Sequence, residues 1–168
     1  MEVSRVHFRP IDFSKNENLA IRFREDSFIV SFGEASAFHE SDGHGAERHI
    51  DWLKAKHSRD PNSALHVWAD SEIIGQVELG KLRDDPTCGY VNLYYLVAEA
   101  RGKGLGTKLD RHAVGYFQSL GLKEAKLCVS PTNTRALAFY SRMGWGDLGP
   151  RVDIPLGKPS VNFMGKCF

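Results

Sequence analysis

Cysteine is scarce, and the three that occur, Cys88, Cys128 and Cys167, are odd in number and far apart. That spacing gives neither the close pairs of a zinc site nor the even framework of a small secreted domain, and it fits a reducing, cytoplasmic setting. Long apolar runs are lacking: none approaches the ~20 residues needed to span a bilayer. The opening MEVSRVHFRP carries charges where a signal peptide would have an apolar core. No membrane association is expected. Charge of one sign is lacking too, because 22 Lys and Arg nearly cancel 21 Asp and Glu and alternate with them along the chain. Without a basic stripe to grip a phosphate backbone, no nucleic-acid partner is expected. Repeats and low-complexity stretches are absent, and 168 residues, 42% of them hydrophobic, suffice for a buried core. One domain over residues 1–168 is expected.

What is present alternates between strand and helix patterns. Val6 and Phe8 stand opposite Arg5, His7 and Arg9, the period of a strand with one buried face. Ser14 followed by Glu17 reads as a capping box, with Leu19, Ala20 and Phe23 on the apolar side of the helix behind it. That helix is expected to break near Asp26 and resume to Phe32. Residues 33–45 show no periodicity and read as a loop, before Ala46, Ile50, Leu53 and His57 resume helical spacing up to Asp60-Pro61. Strand signals at 65–69 and 73–79 flank Asp70-Ser71, which suits a hairpin. A polar loop with Asp84-Asp85-Pro86 leads to a third run, 90–98, dense in β-branched and aromatic residues. From Leu105, the positions Leu109, Ala113, Tyr116, Phe117 and Leu120 recur at helical spacing, with Gly121 placed to cap the end. A strand at 125–129, a helix from about Thr134 to Met143 and a last strand in SVNFMGKC complete the reading.

Arg101-Gly102-Lys103-Gly104-Leu105-Gly106 sits between the 90–98 strand and the helix from Leu105. Glycines let backbone approach a phosphate closely, and a helix's first turn offers unpaired N–H groups at its positive end. Arg101 and Lys103 add charge, so a diphosphate fits; a turn that merely ends a strand would use the same residues. The segment lacks the G-x-x-x-x-G-K-[ST] of a P-loop. A dinucleotide fingerprint belongs in a first βαβ unit, whereas this loop follows four strand signals.

Arg101-x-x-Gly104-x-Gly106 matches the R/Q-x-x-G-x-G/A signature of the GNAT superfamily of acetyl-CoA-dependent N-acetyltransferases. Asn133-Thr-Arg-Ala136-Leu-Ala-Phe-Tyr140-Ser-Arg-Met-Gly144-Trp145 resembles that family's second signature, at the expected separation. The resemblance covers most of the chain from about residue 65. It implies an α/β (α+β type) fold: a central mixed, mostly antiparallel sheet flanked by helices. Two parallel strands, one ending at Ala98 and the other at Ser130, would splay apart to admit acetyl-CoA. Amides from Arg101, Gly102, Lys103, Gly104, Leu105 and Gly106, with Thr107, would hold the diphosphate. Leu96, Val97 and Ala98 would pair their backbone with pantetheine and offer an oxyanion donor. Asn133 would hydrogen-bond the pantetheine arm, and Asn also favours the helix N-cap. Tyr140 would protonate the leaving thiolate, or it packs as a core tyrosine on an amphipathic helix.

For the base that deprotonates the amine, Glu78 is the one acid inside an expected strand, though an exposed strand residue looks the same. Ribosomal-protein N-acetyltransferases carry a glutamate five positions before the motif asparagine, and Cys128 stands there instead. Tyr90, Asn92 and Tyr94 share one expected strand face and would line the acceptor pocket or pack. His39, His44 and His49 lie among acids, but their spacing does not build a metal site, and no metal is implied. The expected activity is direct acetyl transfer from acetyl-CoA to a primary amine of a small molecule or peptide, with the 33–45 loop near the acceptor. An acyl-CoA sensor without turnover, or transfer of a longer acyl group, fits the same motifs. The sequence leaves a homodimer open and does not name the acceptor.

Overall fold

The computed structural model describes residues 5–168. In chain order it has β1 (Val6–Pro10), α1 (Phe13–Phe32), α2 (Ser36–His39), α3 (Gly45–Arg59), β2 (Ala64–Ala69), β3 (Glu72–Leu82) and β4 (Asp85–Leu96). Then come α4 (Leu105–Ser119), β5 (Glu124–Val129), α5 (Thr134–Arg142), β6 (Gly146–Pro150) and β7 (Asn162–Cys167). The strands form one sheet in the order β1-β2-β3-β4-β5-β7-β6. Every neighbouring pair is antiparallel except β4 and β5. The sheet is therefore mixed, mostly antiparallel and flanked by helices, as the sequence implied.

The parallel pair is short. It joins Gly89 to Ala125, Tyr90 to Lys126 and Val91 to Leu127, and then stops, although β4 runs on to Leu96 and β5 to Val129. The parting begins where β4 carries an extra residue: its register against β3 passes from Leu79↔Val91 to Glu78↔Leu93, leaving Asn92 unmatched. Such a bulge bends the strand and increases its twist, which turns β4 away from β5.

One face of the sheet packs on α4. Val77, Leu79, Val91, Leu127, Val129 and Met164 meet Leu105, Leu109, Ala113 and Phe117 there, all buried. On the other face, Phe23 of α1 packs against Leu93 and Tyr95, and Leu53 of α3 against Ile11 and Ala64. Beneath the parting, Asp110 of α4 is 3% exposed and ties three elements together. It accepts hydrogen bonds from the Tyr94 hydroxyl (3.2 Å), Trp145 Nε1 (2.9 Å) and Lys166 Nζ (2.7 Å).

Several local expectations are corrected. Asp12, not Ser14, caps α1: its Oδ1 accepts from the Ser14 amide at 3.0 Å. Glu17 instead pairs with Lys54 of α3. The helix does not break at Asp26, whose carboxylate is taken up by the Tyr95 hydroxyl (2.5 Å) and the Arg101 guanidinium (3.2 Å). Within 33–45, the buried Phe38, 5.5 Å from the Phe28 ring, anchors the one-turn helix α2. The expected polar loop is a two-residue turn at Arg83-Asp84, so β4 begins at Asp85. The edge strand β6 has no sequence signature because two glycines and a proline fill three of its five places.

Replacing Asp110 by Ala strips a buried carboxylate from Lys166, Trp145 and Tyr94 at once, and breaking such a pair typically costs about 3–5 kcal/mol. Urea unfolding of D110A is expected to show a loss of that order. A loss below about 1 kcal/mol, the scale of one ordinary hydrogen bond, would reduce the cluster to an incidental contact.

Candidate active site

The parting of β4 and β5 opens a cleft of about 650 Å³. Its floor is the two strand ends, and its walls are α1, α5, the glycine loop and the segment 151–161. At one end, α4 starts on Gly104, which holds φ +79° and supplies no side chain to cap the helix. The first turn also lacks an acid, so its amide hydrogens and dipole face the cleft unopposed. Gly106 is small for a second reason: a Cβ there would lie 2.8 Å from the Phe139 ring of α5. The two helices that wall the cleft can approach closely only without it.

The expected loop residues distribute unevenly. Gly102, Gly104, Leu105, Gly106 and Thr107 line the cleft, and Lys103 does not. Arg101 reaches the cleft wall, but its Nε donates to Leu96 O at 2.9 Å and its other end pairs with Asp26. The guanidinium thus clamps the loop to the end of β4 and the middle of α1. Charge over the glycines comes instead from Arg135, whose terminal nitrogen is 3.3 Å from where a Cβ on Gly102 would sit. Sequence reasoning passed over Arg135 because it fills a variable position inside the second motif.

Of the strand-end residues, Leu96 lines the cleft, whereas Val97 and Ala98 lie past the strand and outside the lining. The Val97 amide is already donated to Ile74 O at 2.9 Å, and Ala98 opens a single 3-10 turn. The edge of β4 that lost its partner is the stretch after Val91. Within that stretch, the expected common face of Tyr90, Asn92 and Tyr94 is split by the bulge. Asn92 turns toward α1 and α3: Arg24 donates to its carbonyl (2.9 Å) and Lys56 to its Oδ1 (2.8 Å). Tyr94 turns toward α4 and Asp110.

Asn133 caps α5, its Oδ1 accepting from the Ala136 amide at 3.2 Å, and its Nδ2 points to Ser31 across the cleft at 3.5 Å. Tyr140, two turns further on, is half-buried with its ring 6.1 Å from Tyr94 and 6.2 Å from Trp145. Its hydroxyl makes no hydrogen bond among the described residues, and the residue lines the cleft. Burial, and then the negative charge of Asp110, raise its pKa, so the phenol keeps its proton at neutral pH.

Glu78 is fully buried on the face covered by α1 and α3, and it lines no part of the cleft. Its Oε2 accepts from Gln76 Nε2 at 2.8 Å, and Gln76 Oε1 in turn meets His66 Nε2 at 2.9 Å. Burial raises the carboxyl's pKa, but Arg24 and then His49 outweigh it and bring it to about 2. The three histidines weighed for metal go separate ways: His39 meets Glu25 (2.9 Å), His44 meets Glu47 (3.3 Å) and His49 meets Glu78 (3.3 Å). Among the described residues no three His, Cys, Asp or Glu gather as a metal site, and no helix is long and apolar enough to cross a membrane.

A strand parted at a bulge, a glycine-capped helix at the opening and a tyrosine on the facing helix form a recurrent architecture. The model of the acetyltransferase (GNAT) family matches residues 24–145, nearly the whole of this framework. The chain belongs to that family. Among curated GNAT relatives, a mycothiol acetyltransferase of Streptomyces griseus is 29% identical over 73% of this chain and 40% of its own length. An uncharacterized N-acetyltransferase of Archaeoglobus fulgidus is 27% identical over 69% of this chain and 82% of its own. The chain thus spans about two fifths of the length of the mycothiol acetyltransferases it matches. In fold it is similar to a PaiA N-acetyltransferase from Thermoplasma acidophilum solved with coenzyme A. That match has a TM-score of 0.72 and 19% identity over 98% of this chain and 99% of the other. A solved protein of Acinetobacter baylyi gives a TM-score of 0.75 at 14% identity, over 98% and 93% of the two chains.

The electrostatics of Glu78 in this GNAT chain have a measurable consequence. A carboxyl held near 2 when folded, against about 4.3 when unfolded, stabilises the fold above the unfolded value and loses that contribution as pH falls toward 2. Wild type should therefore exceed Glu78→Gln in urea stability at pH 6, with the gap shrinking steadily as pH drops from about 5 to 2. A gap independent of pH would mean that Arg24 and His49 do not hold the carboxylate ionised.

Proposed function

We propose that the cleft binds acetyl-CoA and that its acetyl group passes directly to a primary amine on a small molecule or peptide. The observation that carries this reading is the pairing, in one cleft, of an uncapped helix N-terminus with a neutral, unbonded phenol. The diphosphate lies on the amides of Gly104 to Thr107 with Arg135 above it, where the backbone and the dipole favour an anion. The pantetheine arm runs along the free edge of β4 between Asn92 and Leu96, taking the place that β5 leaves, with Asn133 on its other side. An amide of that edge donates to the thioester oxygen as it gains charge.

The amine nitrogen attacks the thioester carbonyl carbon after losing a proton. The tetrahedral intermediate then collapses with cleavage of the C–S bond. Tyr140 gives its proton to the departing sulfur, and the phenolate recovers one from water. Products are the acetamide and free coenzyme A. Both substrates are held at once, so most of the acceleration comes from positioning. The carboxyl-terminal segment 151–161 and α2 close the acceptor side, where Lys158 reaches Ala37 O at 2.5 Å.

Two variants test the two ends of the cleft. Gly104→Asp places a carboxylate beside the diphosphate, in a left-handed conformation that Asp tolerates at a cost of about 1–2 kcal/mol. Calorimetric titration with coenzyme A should show binding lost while circular dichroism stays native; unchanged affinity would remove the loop from the site. Tyr140→Phe deletes only the hydroxyl. Its kcat should fall by roughly 10²- to 10⁴-fold, read as free thiol released from acetyl-CoA, with little change in acetyl-CoA affinity. Wild-type turnover would make Tyr140 a packing residue. Coenzyme A binding by wild type with no thiol release across amine classes would favour the sensor reading.

A further inference from the structure

Beside the main cleft lies a second pocket of about 300 Å³, bounded by α1, α2, α3 and Lys158. Arg24, Phe28 and Lys158 line both, so the two spaces adjoin, and one of the shared residues, Arg24, holds Asn92 O at the bulge. This is where an acceptor amine would reach the thioester if the reading above holds. Glu78, the acid closest to that junction on β3, cannot touch the amine, because it is sealed from both spaces. What stands between its carboxylate and the pocket is His49.

His49 lines the pocket with its side chain 13% exposed, its Nε2 3.3 Å from Glu78 Oε1. The ring is gripped by aromatic neighbours, Phe38 at 5.7 Å edge-on and Trp52 at 5.4 Å. Nε2 is buried, and neither it nor Glu78 Oε1 has another hydrogen-bond partner among the described residues. The two atoms are at ion-pair distance without the alignment of a full hydrogen bond, a looseness common in catalytic contacts before the substrate is seated. With Nε2 turned into the protein, Nδ1 is the nitrogen left for the pocket. A carboxylate behind an imidazole fixes the N–H on the near nitrogen, leaves a lone pair on the far one, and stabilises the cation that forms when that lone pair takes a proton.

We propose that His49 is the base that deprotonates the attacking amine and that Glu78 is its positioning residue. An ammonium proton moves to Nδ1, the freed nitrogen lone pair forms the bond to the carbonyl carbon, and the imidazolium later releases the proton to water. The charged groups facing His49 are Glu78 from β3, Arg24 from α1, Glu40 after α2, Arg48 from α3, and Lys158, with Lys56 of α3 near Glu78 behind it. Glu40 is shared by Arg48 and Lys158, and Arg48 also pairs with Asp42, so their charges are largely answered among themselves. Burial lowers Lys56 to about 8, and its ammonium is committed to Asn92. Glu78 is thus the anion that His49 meets directly.

The test uses the full chain with acetyl-CoA and the amines spermidine, L-lysine, kanamycin and a short peptide with a free N-terminus. His49→Ala should lower kcat by roughly 10²- to 10⁴-fold while coenzyme A affinity stays at the wild-type value. Added imidazole should restore part of the thiol release. The acidic limb of kcat/KM should lose the component that stays fixed while the amine's own pKa is varied. Glu78→Gln should displace that limb and lower kcat less than His49→Ala does. His49→Gln serves as the second variant should the alanine form fail to fold. Wild-type kcat and an unshifted limb in a folded His49 variant, or a defect that imidazole does not rescue at all, would overturn the assignment while leaving acetyl transfer standing. Absence of thiol release by wild type with all four amines would instead strike acetyl transfer itself, and the proposal with it.

Discussion

A single unpaired stretch of backbone governs this molecule. Parallel strands normally keep their ladder to the end, since a buried peptide group without a partner costs about as much as a lost hydrogen bond. Here β4 and β5 abandon each other after Val91 and Leu127. Much of what surrounds the parting answers the groups it leaves open. Arg24 takes the carbonyl of Asn92 and Arg101 that of Leu96, each reaching in from a different element. On the proposed reading, a ligand takes the missing strand's place along the rest of the freed edge, so the defect that would destabilise a sheet serves as a binding surface.

Keeping the parting open at a fixed width requires fasteners on both sides. On the α4 side the fastener is Asp110, gathering Tyr94 from β4, Lys166 from β7 and Trp145 from the turn after α5. On the α1 side it is Asp26, gathering Tyr95 and Arg101. Tyr94 and Tyr95 are consecutive, so adjacent residues of one strand are pinned to helices on opposite faces. This also explains why α1 passes unbroken through Asp26: the carboxylate that would favour a turn is used on Tyr95 and Arg101 at the end of β4.

Legibility from sequence followed the range of the interactions. The glycine loop, the start of α4, the N-cap at Asn133 and the order of strands up to β5 depend on neighbours a few residues away, and those patterns are visible in the chain. The bulge at Asn92 depends on register against β3, and nothing in YVNLYYL announces it; hence Tyr94 was assigned to the wrong face. Arg101 looks like a phosphate ligand by position, yet a carbonyl five residues back and a carboxylate 75 residues away claim it. Asp110 sits on the buried side of an amphipathic helix, where a polar residue reads as noise until Trp145 and Lys166 are brought to it. His49 was weighed only for metal, because its partner Glu78 is 29 positions on in another element.

Burial raises the pKa of both Tyr140 and Glu78, and the net direction is set by what each group meets. At Tyr140 it adds to the field of Asp110, and both favour the neutral phenol that can donate. At Glu78 it opposes Arg24 and His49 and loses, so a carboxylate stays ionised in the interior. A buried ion pair is weak as a source of stability, since an apolar residue of similar volume often does as well or better. The chain of His66, Gln76, Glu78 and His49 is therefore hard to justify as packing alone. Two of its members are connected by hydrogen bonds to Gln76, and the fourth opens on the second pocket. A fixed negative charge set behind a ring at a pocket wall is the arrangement that keeps an imidazole oriented and able to hold a proton for the length of one turnover.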